Sequence, residues 1–261
     1  MLLRKKKMLA AIKEGDAKTF GIILARNPRL SKSVLTLSWF GQRGRPLHFV
    51  AAGGSWDANS VLASLPCGFQ FLSGRDDADL AMCQALVKNS AIVHCIDDNG
   101  NTPLHYACGR GHRAMAEVLL DNGAHINYSN PMKTPPLEFA LHYGHDQVAS
   151  MLIERGAHLN YYEPITPLLS ACQRRCVLAF RAMVASEPDV AINQMDHPDS
   201  FGDVPLHWAA STGCREIVQI LIDLGANVNA RNANGGTPLK YAHYCKFSDV
   251  ATLLESHGGQ L

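Results

Sequence analysis

Apolar residues recur at spacings of three and four along most of the chain, in short segments separated by glycine- and proline-containing loops. Leu104, Ala107 and Cys108 form one such stripe, and residues 113–122 form a second. This spacing predicts amphipathic helices. Each segment is too short to persist alone, so the pattern favours helix pairs that bury their apolar faces against neighbouring pairs.

Two sequence markers repeat along the chain in a constant phase. Three repeats close with an asparagine, and Asn127, Asn160 and Asn229 each lie 24 residues after the proline of their repeat. The most complete helix start, Thr102–Ala107, reads TPLHYA. Repeats at such a period predict a solenoid rather than a closed globule. The prolines that open the repeats lie 57, 33, 31, 38 and 33 residues apart, at Pro46, Pro103, Pro136, Pro167, Pro205 and Pro238.

The TPLHYA segment and its related copies resemble the ankyrin-repeat family, and the resemblance covers roughly residues 8–261. It implies an all-α ankyrin-repeat solenoid of stacked helix-turn-helix units with β-turn fingers. The N-terminal helix pair, expected at 8–14 and 16–26, lacks the TPLH element and reads as a capping repeat. The expected boundaries are 1–43 (N-terminal cap), 44–98, 99–131, 132–163, 164–201, 202–234 and 235–261 (C-terminal cap).

Local chemistry supports this interpretation. A proline in the first turn of a helix loses no hydrogen bond, because its N–H would have no partner within the helix. Thr102 precedes Pro103 and is placed to cap the helix. We also expect a hydrogen bond between the side chains of Thr102 and His105, which would tie the loop to the helix.

Two repeats depart from the pattern. The second carries 24 extra residues near 53–79, between its inner and outer helices. Its aromatic residues Trp56, Phe69 and Phe71 are either a separate binding element or, as we favour, pack onto the repeat helices. The fifth repeat has five extra residues, which predict a longer finger that exposes Met195 and Phe201.

Two further substitutions fall in the finger turns. Lys133 replaces the usual finger glycine of the fourth repeat, and the fifth repeat has Pro164. These residues predict turns that differ from the family pattern.

Charge is unevenly distributed in this chain of 261 residues. Residues 1–45 hold 11 Lys and Arg against 2 acids, a net charge of +9, and the remainder has a net charge of −8. The run Arg4–Lys7 is compatible with a nuclear signal, an anionic-lipid contact or a nucleic-acid arm, but we favour a solvated cap. The acidic remainder would repel phosphates, so no nucleic-acid partner is expected.

Targeting signals and cysteine content indicate a reducing compartment. The apolar stretch after the first lysines is too short for a signal peptide. No apolar run reaches the about 18 residues of a membrane-spanning helix. The eight cysteines include no CxxC pair and are expected as free thiols. We therefore expect a cytoplasmic protein, with the nucleus, or secretion as an effector by an intracellular microbe, as alternatives.

Catalytic and metal-binding chemistry is not expected. Repeat phase accounts for seven of the twelve histidines, and Cys172 and Cys176 have no third ligand nearby in the sequence. No G-x-S-x-G, P-loop, G-x-G-x-x-G or H-E-x-x-H motif occurs. We predict neither enzymatic activity nor a metal or cofactor.

The resemblance implies protein–protein binding through a pre-formed concave face, by a chain that is monomeric on its own. The alternatives are a regulatory or inhibitory subunit of an enzyme and a translocated microbial effector acting on host proteins. Contact positions of the family fall on Asp98, Asn99, Asn101, Gly109, Arg110, Pro131, Met132, Thr134, His142, Tyr143, Tyr162, Glu163, Gln173, Arg174, Ser200, Phe201, Asp203, Ser211, Thr212 and Tyr244.

Among these positions, Tyr143, Tyr162, Arg174 and Phe201 are the expected anchors, because aromatic residues and arginine dominate binding hot spots. Separately, the resemblance implies hydroxylation sites at Asn127, Asn160 and Asn229. We prefer the alternative that these side chains hydrogen-bond the turn.

Overall fold

A computed structural model describes residues 2–14, 16–32, 35–36, 43–44, 76–88, 93–160 and 166–261. Within these ranges it contains 14 α-helices, which confirms the all-α ankyrin-repeat architecture. The chain divides into two compact units, Met1–Pro136 and Leu137–Leu261. Trp56, Phe69, Phe71, Tyr162, Glu163 and Pro164 lie outside the described residues.

The first unit begins with a helix pair. Its described elements are α1 (Leu2–Glu14), α2 (Ala17–Arg26), a 3-10 turn (Pro28–Lys32), β1 (Leu35–Thr36), β2 (Arg43–Gly44), α3 (Asp76–Lys88), α4 (Pro103–Gly109) and α5 (Arg113–Asp121). The pair α1/α2 is confirmed, but α1 begins earlier than expected and includes the basic run. Leu35 pairs with Gly44 and Thr36 with Arg43 in a short antiparallel ladder.

The second unit is also built of helix pairs, and its first helix begins at the boundary residue Pro136. Its elements are α6 (Pro136–His142), α7 (Asp146–Glu154), α8 (Pro167–Arg174), α9 (Val177–Ser186), α10 (Pro188–Gln194), α11 (Pro205–Thr212), α12 (Arg215–Asp223), α13 (Pro238–Tyr244) and α14 (Ser248–Ser256). The inner helix α11 packs between α8 and α13. Small buried residues, including Ala171, Ala209 and Ala242, allow these helices to approach closely.

Helix starts follow the sequence prediction. The Thr166 hydroxyl accepts from Leu169 N at 3.2 Å, and the Thr237 hydroxyl accepts from Lys240 N at 3.3 Å. In the first unit the expected contact between the side chains of Thr102 and His105 is present, with 2.8 Å between Oγ1 and Nδ1. The residues around each proline therefore satisfy backbone groups that the first turn leaves unpaired.

The fifth repeat differs from the expectation. The five extra residues accompany an additional seven-residue helix, α10, and the finger from Asp199 to Pro205 keeps the six-residue spacing of the other described fingers, so the expected longer finger is wrong. Met195 is only 8% exposed and is not displayed at a loop tip, whereas Phe201 is 65% exposed. Gln194 explains this arrangement: its buried amide donates to Leu159 O at 2.6 Å and accepts from Leu168 N at 3.3 Å.

Candidate functional site

Each described finger is held at its base by one polar side chain, six residues before the proline of the following helix. In the first unit, Asp97 Oδ1 accepts from Asn99 N and Asn101 N, both at 2.9 Å. In the second unit, Asp199 Oδ1 accepts from Phe201 N at 2.8 Å and from Asp203 N at 3.0 Å. These bonds fix the finger backbone before any partner binds, because a side-chain oxygen replaces the missing backbone acceptor.

Asn130 and Asn232 repeat this arrangement and also link neighbouring fingers. The side-chain oxygen of Asn130 accepts from Met132 N and Thr134 N, both at 3.0 Å. Its amide donates to Asn101 Oδ1 at 2.9 Å. The base residue of each described finger lies six residues before a proline, and this constant spacing could have identified these residues from the sequence.

The histidine of the TPLH element provides a second link between repeats. His207 Nδ1 accepts from Val204 N at 3.2 Å, and Nε2 lies 3.1 Å from Gly236 O. Since a carbonyl only accepts, the hydrogen lies on Nε2. His105 makes the corresponding contacts with Thr102 N and Thr134 O at 3.0 and 3.1 Å. Both nitrogens of each ring are engaged, which explains these two histidines structurally.

Two of the expected contact residues, Asn101 and Asp203, are buried. Asp203 Oδ1 accepts from Asn232 Nδ2 at 2.8 Å, and its Oδ2 accepts from the Tyr241 hydroxyl at 3.0 Å. Side chains that bond neighbouring residues in this way are not available to a partner. We therefore leave both residues out of the proposed surface.

Most of the expected contact residues at the finger tips are exposed. Asp98, Asn99, Pro131 and Ser200 are exposed, Met132 is 82% exposed, and Thr134 is half-buried. The expectation that Lys133 alters its turn is wrong. Lys133 adopts a φ of 59°, close to the 75° of Gly100 and the 80° of Gly202, so the turn keeps its left-handed form.

The ends of the inner helices in the second unit carry exposed aromatic and basic groups. Tyr143 is 46% and Tyr244 86% exposed, and Arg174 is exposed. The rings of His142 and Tyr143 meet edge to face, with centroids 5.0 Å apart. Burial, and secondarily the positive charge of Arg174, lowers the pKa of His142. This imidazole is therefore neutral over more of the pH range than an isolated one.

The remaining inner-helix positions present less side chain to solvent. Gln173, Ser211 and Thr212 are half-buried. The Ser211 hydroxyl donates to Trp208 O at 2.9 Å, and the Thr212 hydroxyl lies 3.4 Å from Cys172 O. In the first unit, Gly109 and Arg110 are also half-buried.

The asparagines that close the repeats lie in different settings. Asn160 is exposed and Asn127 half-buried. Asn229 donates to Gly258 O at 3.0 Å and accepts from Gln260 N at 2.7 Å, so this side chain holds a turn. Hydroxylation at the three positions remains a prediction.

Most of the described cysteines are buried thiols. The seven within the described residues form no disulfide with one another, and all but Cys245 are buried. Burial raises the pKa of Cys83 and of Cys176 to about 12. Thiols in this state are poor nucleophiles and poor metal ligands.

The described residues contain no group of three or more His, Cys, Asp or Glu side chains arranged to hold a metal ion. None of the described helices has the length and hydrophobicity needed to span a bilayer.

The structure is that of a helical repeat protein. Its helix pairs, its TPLH contacts and its hydrogen-bonded fingers recur from one repeat to the next, and this architecture generally serves as a protein-binding module. A family model described as ankyrin repeats (three copies) matches residues 70–163 and 168–260. The chain belongs to the ankyrin-repeat family.

Relatives match as parts of longer proteins. Rabankyrin-5 of Mus musculus is 50% identical over 56 residues, which cover 22% of this chain and 5% of that protein. The probable E3 ubiquitin-protein ligase XBOS32 of Oryza sativa subsp. japonica is 30% identical over 243 residues, which cover 89% of this chain and 40% of the ligase. The chain thus spans less than half the length of either relative.

Two solved structures share the fold. The human ASB11 ankyrin repeat domain has a TM-score of 0.70 at 25% identity, covering 97% of this chain and 98% of that domain. The second is a chain from the complex of a predatory endopeptidase of Bdellovibrio bacteriovorus with its immunity protein. Its TM-score is 0.57 at 26% identity, with 69% of this chain and 94% of that chain covered.

Proposed function

We propose that the chain is a non-enzymatic scaffold or adaptor that binds a partner protein through the finger tips and inner-helix ends of its second unit. The single observation that carries this proposal is the exposure of three aromatic side chains, Tyr143, Phe201 and Tyr244, on elements fixed by internal hydrogen bonds. Ankyrin domains generally bind proteins, which agrees with this use of the surface.

Rigidity is the physical advantage of such a surface. Binding normally costs about 0.5–1.5 kcal/mol for each rotamer-rich side chain that must be ordered. The backbone of Phe201 is already held by Asp199, and Phe201 O accepts from Ala233 N of the next finger at 3.1 Å. A finger fixed in this way loses little further entropy when a partner binds.

The expected contacts on this unit are His142, Tyr143, Gln173, Arg174, Ser200, Phe201, Ser211, Thr212 and Tyr244, and Tyr162 and Glu163 stay predicted contacts. In the first unit, Asp98, Asn99, Pro131, Met132 and Thr134 on the fingers, with Gly109 and Arg110, form a second set. The finger tips of the first unit are mostly polar, and Met132 is the large apolar side chain exposed there among the described residues. We therefore place the main anchors in the second unit.

The proposal is tested by affinity capture with the wild type, a Tyr143→Ala/Phe201→Ala double variant and a Leu178→Ala control. Leu178 is 48% exposed on the outer helix α9, so its truncation removes a comparable apolar surface away from the fingers. We expect a captured protein to be lost with the double variant and kept with the control. A partner that binds all three equally would contradict the assignment of the surface.

A second candidate function is inhibition of an enzyme. One structural neighbour comes from a complex of an endopeptidase with its immunity protein. If this chain is an inhibitory subunit, adding it should lower the activity of its captured partner, whereas an adaptor changes only the partner's location or its other contacts. A partner assay with and without the chain separates the two functions.

We also propose a reducing compartment, such as the cytoplasm, and a monomeric chain that needs no cofactor. The seven described cysteines form no disulfide with one another and six of them are buried, which supports the compartment.

A further inference from the structure

Two basic residues of the second unit occupy a backbone conformation that favours glycine. Arg175 and Lys246 have φ values of 58° and 64°. The corresponding residues of other repeats are Gly111, Gly144 and Gly213, with φ between 70° and 75°. Side chains other than glycine are strained there, and strain of this kind is concentrated at functional sites.

Their side chains, with that of Arg174, are exposed and unused by the fold. None of the three forms an ion pair or a side-chain hydrogen bond with another described residue. Asp146 and Glu138 act electrostatically on Cys176, as Arg174 does, but their carboxylates are hydrogen-bonded to other groups. Asp146 accepts from Leu178 N and Ala179 N, and Glu138 accepts from Ser170. Within the described part of the chain, none of the three positive charges is therefore held in an ion pair.

These residues lie along one continuous row of inner-helix ends. A Cβ atom built on Gly144 would lie 4.0 Å from Arg174 Cβ, and the Thr212 hydroxyl reaches Cys172 O at 3.4 Å. Next along the row, the ring of Phe247 covers Gly213 so closely that a Cβ atom there would clash. The row thus runs from Tyr143 past the two arginines to Lys246.

The distance between Arg175 and Lys246 along this row indicates how long a bound peptide segment must be. Arg175 and Lys246 are two repeats apart, which is about 20 Å at about 10 Å for each packed pair of helices. An extended chain advances about 3.3 Å per residue, so about six residues span the two positions. The half-buried ring of Phe247 lies between the charges, and the exposed rings of Tyr143 and Tyr244 lie near the two ends.

We propose that Arg174, Arg175 and Lys246 bind the carboxylates of an extended acidic segment of a partner protein, with two acidic positions about six residues apart. This inference rests on the proposed function and specifies the chemistry of the partner at that same surface. It also accounts for the strained residues: a glycine would stabilise the turn but would remove the charge that the partner needs.

The test uses the 261-residue chain as bait for a phage-displayed library of random dodecapeptides, followed by fluorescence anisotropy with the selected peptides. The central variant is Arg175→Gly/Lys246→Gly, which relieves the strain and removes two charges. Its control, Arg181→Gln/Arg215→Gln, removes two positive charges from the outer helices α9 and α12. Thermal unfolding is measured for all proteins.

We expect selected peptides with Asp or Glu at two positions about six residues apart and binding that weakens at high salt. The Arg175→Gly/Lys246→Gly variant should unfold a few degrees above the wild type yet bind these peptides about 5–10-fold more weakly. The control should bind as the wild type does. Higher stability with weaker binding is a combination that a purely structural role would not produce.

Selection of peptides without acidic residues would overturn this inference. If their binding were lost with Tyr143→Ala/Phe201→Ala and unchanged with the double-glycine variant, the proposed function would stand while the acidic ligand would not. Failure to select any peptide would also overturn the inference, because an extended segment is the ligand that it requires.

Discussion

Asn232 and Asp203 lie 29 residues apart in the sequence, and Asn232 Nδ2 donates to Asp203 Oδ1 at 2.8 Å. Asn130 and Asn101 form the equivalent bond at 2.9 Å within the first unit. The same spacing therefore joins one finger to the next in both units. Because both side chains of each pair are buried, the bond is made away from competing water.

Loss of this link should destabilise the fingers. Asn232→Ala removes the donor to Asp203 and the acceptor used by Asn234 N and Gly236 N, leaving buried polar groups unpaired. We expect the free energy of unfolding to fall by about 1–3 kcal/mol. Urea denaturation measures this change. Asn234→Ala, at the exposed tip of the same finger, is the matched control and should change stability little.

Relief of backbone strain should stabilise the second unit. Lys246→Gly places glycine at a φ of 64°, and we expect the free energy of unfolding to rise by about 0.5–1 kcal/mol. Lys246→Ala removes the same charge but keeps a Cβ atom, so it should bring no such gain. An equal gain from both substitutions would show that the charge, rather than the backbone, limits stability.

Truncation of a core side chain should lower the free energy of unfolding by more than the loss of the Asn232 link does. Leu104 is fully buried in α4, and Leu104→Ala should lower the free energy of unfolding by about 2–5 kcal/mol. Leu178→Ala, on an exposed site, should change it by about 0.5 kcal/mol or less. A small effect at Leu104 would contradict the close packing of the helix pairs.

Truncation of an exposed aromatic should act on binding alone. Phe201→Ala and Tyr143→Ala should each weaken partner affinity by about 1–3 kcal/mol while the thermal unfolding temperature stays near that of the wild type. Isothermal titration with the captured partner measures the affinity. Unchanged affinity in both variants would move the binding site elsewhere, for example to the 53–79 insertion.

Stability should decline at high pH because of the buried thiols. Burial raises the pKa of Cys83 and Cys176 from 9.0 to about 12, so the unfolded chain loses these protons at lower pH than the folded chain. The stabilising contribution is complete below pH 9 and is lost as the pH rises from 9 towards 12. Urea denaturation at pH 8 and pH 10, compared with Cys176→Ala, tests this slope.

The repeat phase, the helix starts at proline and the contact between Thr102 and His105 followed from the sequence. The helix starts and the contact depend on residues that lie close together along the chain, and the repeat phase is the recurrence of these short motifs, so the sequence encodes all three directly. The expected all-α ankyrin architecture is confirmed for this reason.

Other features depended on contacts between repeats. A loop-tip position was expected for Met195, but α10 and the amide of Gln194 place it in the interior. A contact role was expected for Asn101 and Asp203, yet each accepts a hydrogen bond from the asparagine 29 residues later.

The backbone conformation of Lys133 also depended on a contact that its own residue type did not indicate. A lysine in place of glycine suggested a different turn, but Asn130 holds the backbone of residues 132 and 134 and keeps Lys133 in the left-handed conformation. The sequence by itself determined the repeating helix pairs, because their period is local. Only the tertiary structure decided which side chains are exposed, because a hydrogen bond or a packed neighbour from another repeat overrides the preference of a single residue.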